Sequence, residues 1–130
     1  MSPEEVVRAH FAAFARGLDA VAEYWDPEID WRAVEGAADD AGVVRGHAAL
    51  RRYYEEWLDS IEGLAAEVEE VLAVEGDRVA VALRNSGRGR ASGVPTEGRY
   101  YVACTVRDGR IASGREYATA EEAVAASTGQ

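Results

Sequence analysis

The sequence predicts an α+β domain in which helices come first and one antiparallel sheet follows. Three observations carry this. Up to Ile61 the apolar residues recur at helical spacing, as in Val7, Phe11 and Phe14, and again in Leu50, Tyr53, Tyr54, Trp57, Leu58 and Ile61. From Leu64 onward the pattern changes to long alternating stretches, placing strands near residues 65–75, 78–88, 95–107 and 110–118. Glu75-Gly76-Asp77 and Arg107-Asp108-Gly109 stand between them as compact hairpin signals. Helices followed by a run of strands is the order of an α+β fold.

Each element has its own local reason. Ser2 caps the first helix, Pro3 suits its first position, and Glu5 completes a capping box. Gly17 ends it. Leu18, Val21, Ala22 and Trp25 mark a short second helix, stopped by Asp26-Pro27. Glu28 to Glu35 alternates as a strand, and Gly36 to Gly46 reads as a small, acidic loop containing Asp39, Asp40 and Gly42. A third helix runs from about His47 to Ile61. The stretch Asn85 to Gly98 carries Gly87, Gly89, Gly93 and Pro95, which fits either a bulged, bent hairpin or a mobile loop. Thr119-Ala120-Glu121-Glu122 caps a short last helix ending near Ala126. No repeat or linker interrupts the 130 residues, so a single domain spanning 1–130 is expected.

Composition removes several functions. Alanine supplies 25 of the apolar residues, and Leu, Ile, Val and Phe together only 26, so the three Trp and six Tyr must fill much of the core or line a cavity. A net charge of −10 disfavours nucleic acid and anionic membranes, which need a basic footprint. All 14 basic residues are arginine; without lysine there is no Schiff base and no P-loop lysine. One cysteine, Cys104, allows no internal disulfide, and His10 and His47 lack metal-ligand spacing. No run approaches the roughly 18 apolar residues of a membrane span, and no signal-peptide pattern opens the chain. A cytoplasmic protein is expected.

Four short segments, in this order and spacing, carry a family resemblance. They are Arg16-Gly17-Leu18-Asp19-Ala20; Trp25-Asp26-Pro27-Glu28-Ile29-Asp30-Trp31; Arg45-Gly46-His47-Ala48-Ala49-Leu50; and Arg107-Asp108-Gly109-Arg110-Ile111. Over nearly its whole length the chain resembles the SnoaL-like branch of the nuclear-transport-factor-2-like (NTF2-like) superfamily. The resemblance implies a cone: a curved sheet wrapped around the long helix, with a pocket at its open end. It also implies a homodimer through the outer face of the sheet. The superfamily spans ketosteroid isomerases, polyketide cyclases, dehydratases, epoxide hydrolases and non-catalytic members, so the fold alone leaves function open.

Strand parity and the resemblance together nominate site residues. Ile29, Trp31, Ala33 and Glu35 form the more apolar face of the first strand, which would make Glu35 a carboxylate at the cavity wall; the alternative is a solvated strand end. Glu116 shares a face with Gly114, and the isomerase pattern turns it inward, whereas parity alone equally allows Ile111 and Tyr117 inside. The resemblance places Tyr101, Ala103, Thr105 and Arg107 inward, so that Tyr101 and Thr105 would hydrogen-bond a ligand. His10 falls where the isomerases carry a tyrosine that stabilises an oxyanion; a buried structural histidine is the alternative. Asn85 either enters the cavity or holds a turn. Arg84, Arg88, Arg90 and Arg99 form either an anion-selective mouth or local ion pairs.

Ala33 and Ala103 stand where the isomerases carry their base and acidic donor, and neither the paired aspartates of the epoxide hydrolases nor the two histidines of the dehydratases can be placed. What the resemblance leaves is the polyketide-cyclase style. It uses Glu116 and Glu35 as acid–base groups, His10 and Tyr101 as donors, and Phe14, Trp31, Tyr53 and Trp57 as walls. Such a site needs no metal or cofactor, because the substrate's own carbonyls stabilise the carbanion. The expected ligand is a hydrophobic, oxygenated small molecule. The rival expectation is a non-catalytic dimerising, carrier or ligand-sensing module.

Overall fold

The computed structural model describes residues 1–128. Helix α1 (Pro3–Ala12) starts at the expected capping box: the Ser2 hydroxyl accepts the Glu5 amide at 3.1 Å, and the Glu5 carboxylate accepts the Ser2 amide at 2.9 Å. A 3-10 turn (Ala13–Arg16) and Gly17, at φ 96°, lead into α2 (Leu18–Ala22). This helix stops earlier than expected, because Trp25 already opens strand β1 (Trp25–Arg32). Pro27 is tolerated there because the β1 ladder is irregular between Trp25 and Asp30, so no ladder bond is lost. A two-residue β2 (Val44–Arg45) precedes α3 (Gly46–Ser60), which runs directly into β3 (Ile61–Glu75). Strands β4 (Arg78–Gly89), β5 (Pro95–Arg107) and β6 (Arg110–Tyr117) follow, and α4 (Ala120–Thr128) ends the described chain.

The six strands form one sheet in the order β2-β1-β6-β5-β4-β3, antiparallel throughout except for the β1–β6 pair. Three register shifts in β3 bend the sheet into its curve. The Asn85–Gly98 stretch is the bent hairpin rather than a loop. Arg88 pairs with Pro95, and the Arg88 guanidinium donates to the Gly93 carbonyl at 2.7 Å across the turn.

Inside the curve lie Val79, Val81 and Leu83 of β4, with Val102, Cys104 and Val106 of β5, all buried. They share one core with Val6, Val7 and Phe11 of α1, Leu50 of α3 and Trp25, Ile29 and Trp31 of β1. Each such side chain contributes about 1.5–3 kcal/mol by leaving water. The outer-face alanines Ala80 and Ala82 are buried as well. The covering element is α4, which packs on β3, β4 and β5 and buries its own Ala123 and Ser127.

Two parities matter for the site. On β5 the inward set is Tyr100, Val102, Cys104 and Val106, opposite to the expectation from the resemblance. Tyr101 and Thr105 therefore face outward, and Tyr101 pairs with Tyr117. The inward set is the more apolar one, which is why it is buried. On β6 the register shifts between Thr105 and Val106, which face Ser113 and Ile111, leaving Ala112 as the extra residue. This bulge puts both Ile111 and Glu116 on the inner face, resolving what regular alternation left open.

Candidate functional site

A cavity of about 350 Å³ opens between α3, the loop after β1, and the ends of β3, β4 and β5. Phe14, Val34, Trp57, Ile61, Leu64 and Ala66 make its apolar wall; Asp39, Tyr54, Asn85, Tyr100 and Glu116 supply polar groups. Those groups come from five separate parts of the chain, so tertiary folding alone assembles the site.

Glu116 is the centre of the arrangement, with only 9% of its surface exposed. Its Oε2 accepts two hydrogen bonds, from Trp31 Nε1 at 2.8 Å and from the Tyr53 hydroxyl at 3.1 Å. Its Oε1 has no partner among the described residues and is not sealed from the cavity. Burial disfavours the charged form and outweighs both donors, so the carboxyl is pushed up to about 7. Trp31 can stand this close because Gly114 lies beneath it; a Cβ there would overlap the indole ring.

The Tyr53 hydroxyl also reaches Asp39 Oδ2, at 3.2 Å. Asp39 is held at the cavity by its neighbour Asp40. That carboxylate accepts from the Arg32 guanidinium at 3.1 and 3.3 Å and from the amides of Gly36 and Gly42, both at 2.9 Å. The Arg32 hydrogen bond, followed by the two amides, holds Asp40 well below the usual carboxylate range. Loop and strand end are thereby tied together.

Two further tyrosines border the cavity. The Tyr54 hydroxyl is buried without a partner among the described residues, and Tyr100 turns inward from β5. Burial pushes both phenols upward, so both remain protonated donors. Asn85 lies over Gly98, and its carboxamide makes no hydrogen bond to the described residues.

Of the residues nominated by sequence, Glu116, Phe14, Trp57 and Asn85 line the cavity, and Trp31 and Tyr53 stand behind Glu116 as its donors. Four lie elsewhere. Strand β1 ends at Arg32, before Glu35 is reached, so Glu35 is exposed and pairs with Arg115 at 3.2 Å and Arg32 at 3.7 Å. Tyr101 and Thr105 are on the outer face. His10 is fully buried in the core beside the edge of Phe11, where its Nε2 accepts the Trp25 indole N–H at 3.0 Å. Burial pushes it down to about 3, so this histidine is a neutral acceptor rather than a proton donor to the cavity.

Arg84 pairs with Glu97 and Arg99 with Glu69, while Arg88 and Arg90 donate to the carbonyls of Gly93 and Leu58, so the four do not form an open anion mouth. Asp39, Tyr54 and Tyr100 are the residues sequence reasoning missed. Tyr54 sat in the recognised stripe of α3, and the apolar alternation of β5 pointed to Tyr100; nothing local distinguished Asp39 from Asp40. Among the described residues no group of three or more His, Cys, Asp or Glu side chains could hold a metal ion.

A curved six-stranded sheet wrapped on helices, with a cavity at its open end, is the NTF2-like α+β class of domain. The SnoaL-like domain model matches residues 7–114, and the chain belongs to that family. TerC, co-crystallised with polyporic acid, is 20% identical with a TM-score of 0.76, covering 98% of each chain. An NTF2-like protein from Burkholderia thailandensis is 23% identical with a TM-score of 0.76, over 95% of this chain and 98% of that one. A protein of ketosteroid isomerase-like fold from Catenulispora acidiphila, in complex with trimethylamine, is 18% identical with a TM-score of 0.76, over 99% and 95%. At these identities the likeness is one of fold. No curated protein matches the chain. No helix among the described residues is long and apolar enough to cross a membrane.

Proposed function

We propose that this SnoaL-like protein binds a mainly apolar, oxygenated, uncharged small molecule and moves a proton on the carbon beside its carbonyl. Cyclisation, isomerisation or dehydration without a cofactor would follow from that step. The observation that carries the reading is Glu116: buried in a cavity, poised at about 7, with Oε2 anchored and Oε1 free. A carboxyl titrating near neutrality serves as base in one form and acid in the other. The ligand's carbonyl oxygen sits against the hydroxyl of Tyr100, whose hydrogen bond strengthens as charge develops there. Glu116 Oε1 takes the α-proton, the electrons delocalise onto the ligand's carbonyl oxygen, and Glu116 returns the proton at the new position. Co-crystallisation of TerC, of the same fold, with polyporic acid supports an oxygenated ligand.

The test is α-hydrogen exchange in deuterated water, followed by NMR, over a panel of cyclic ketones and 1,3-diketones shown to raise the melting temperature. Glu116→Gln should slow exchange by roughly 10²–10⁴-fold. Equal exchange in both proteins, with binding retained, would remove catalysis and leave the carrier reading. We also propose a homodimer through the part of the outer sheet face beside α4, where Tyr101 and Tyr117 are only half-buried. Light scattering giving 14.0 kDa at tens of micromolar would refute it.

A further inference from the structure

We propose that Asp39 is a positioning residue that decides when Glu116 carries its proton, acting through the hydroxyl of Tyr53. The inference rests on the reading of Glu116 as the acid–base group. A phenol has one hydrogen to donate, yet the Tyr53 oxygen lies 3.1 Å from Glu116 Oε2 and 3.2 Å from Asp39 Oδ2. Two carboxylates therefore compete for one proton. While Glu116 is charged, Tyr53 donates to it, and Asp39 turns to water at the cavity rim. Once Glu116 is protonated it no longer needs that donor, and the Tyr53 hydrogen passes to Asp39. Asp39 thus favours the protonated form of Glu116 twice, by drawing away its donor and by its own negative charge.

The remaining groups around Glu116 leave this role to Asp39. Tyr54 on α3 and Tyr100 and Cys104 on β5 are neutral, each pushed up by burial. His10 on α1, behind Trp31, is neutral because burial pushes it down. Arg115, on the same strand, points to the other face and pairs with Glu35. Glu97 and Arg99 at the cavity mouth are each held in an ion pair.

The structure also supplies a reporter that needs no substrate. Trp31 Nε1 donates to Glu116 Oε2 at 2.8 Å, so its indole N–H resonance follows the charge on Glu116. In the ¹⁵N-labelled protein, Glu116→Gln identifies the resonance by abolishing its titration. Asp39→Asn keeps an oxygen acceptor but removes the charge, and should lower the Trp31 midpoint by about one pH unit. Tyr53→Phe removes the donor and should raise the midpoint; in that background Asp39→Asn should lose at least half its effect.

An unchanged or raised midpoint in Asp39→Asn, with Glu116→Gln still abolishing the titration, overturns the role of Asp39 and leaves that of Glu116 standing. An undiminished effect in the Tyr53→Phe background overturns the route through Tyr53. A Trp31 resonance that does not titrate between pH 5 and 9 in the unaltered protein overturns the reading of Glu116 itself. All the substitutions are near-isosteric, and an unchanged set of methyl resonances confirms that each variant is folded.

Discussion

Replacing Glu116 by glutamine should change how stability depends on pH, in a direction fixed by burial. The folded protein binds the Glu116 proton more tightly than the unfolded chain does, because burial raises the carboxyl from an ordinary value of 4.5 to about 7. Stability from this group is therefore fully present below 4.5 and is lost progressively as pH rises through 7. At about 1.4 kcal/mol for each pH unit, the whole interval is worth about 3 kcal/mol, most of it between pH 5 and pH 8. Glutamine has no proton to lose, and its carbonyl oxygen still accepts from Trp31 and Tyr53, so the variant should lack this component.

For a chain of 130 residues an unfolding entropy of about 0.27 kcal/mol/K converts that energy to roughly 9 °C. The assay is calorimetric melting of both proteins at pH 5 and pH 8. Titrations elsewhere in the molecule are common to both and cancel in the difference. The variant should gain on the parent by roughly 9 °C over that interval. A difference under about 2 °C would mean that Glu116 is hydrated in the folded state, and the argument from burial would fail.

The other expectations are narrower. Gly114→Ala should cost roughly 1–3 kcal/mol, because the new Cβ occupies the space of the Trp31 ring. The Trp31 indole resonance should move as well, and an unshifted resonance at parental stability would show that the ring does not lie there. Proton exchange in Glu116→Gln, the Asp39→Asn midpoint and the light-scattering mass complete the set.

The sequence made the element order legible because capping residues, hairpin signals and periodicity agree locally from Ser2 to Glu122. The acid at the centre of the cavity was legible too, but only through a resemblance, since the bulge at Ala112 breaks the alternation that would have placed it. Glu35 was misplaced because strand parity was carried past Arg32, where the chain already turns. Tyr101 and Thr105 were misplaced because the resemblance was preferred to the apolar alternation of Val102, Cys104 and Val106. Asp39 escaped notice for a different reason. A loop aspartate acquires its meaning from Tyr53 on another element, and no spacing within the loop records that meeting.

The extra residue in β6 has a consequence for the sign of charge inside the cone. Were Ala112 absorbed into a regular ladder from the Asp108-Gly109 turn, Ser113, Arg115 and Tyr117 would face inward and Glu116 outward. The carboxyl at the centre of the chamber would give way to a guanidinium with no change in sequence. Gly114 opposes that slip, since in this register it alone gives the Trp31 ring room. Deleting Ala112 would make the correct register the regular one and leave the competing arrangement without its extra residue.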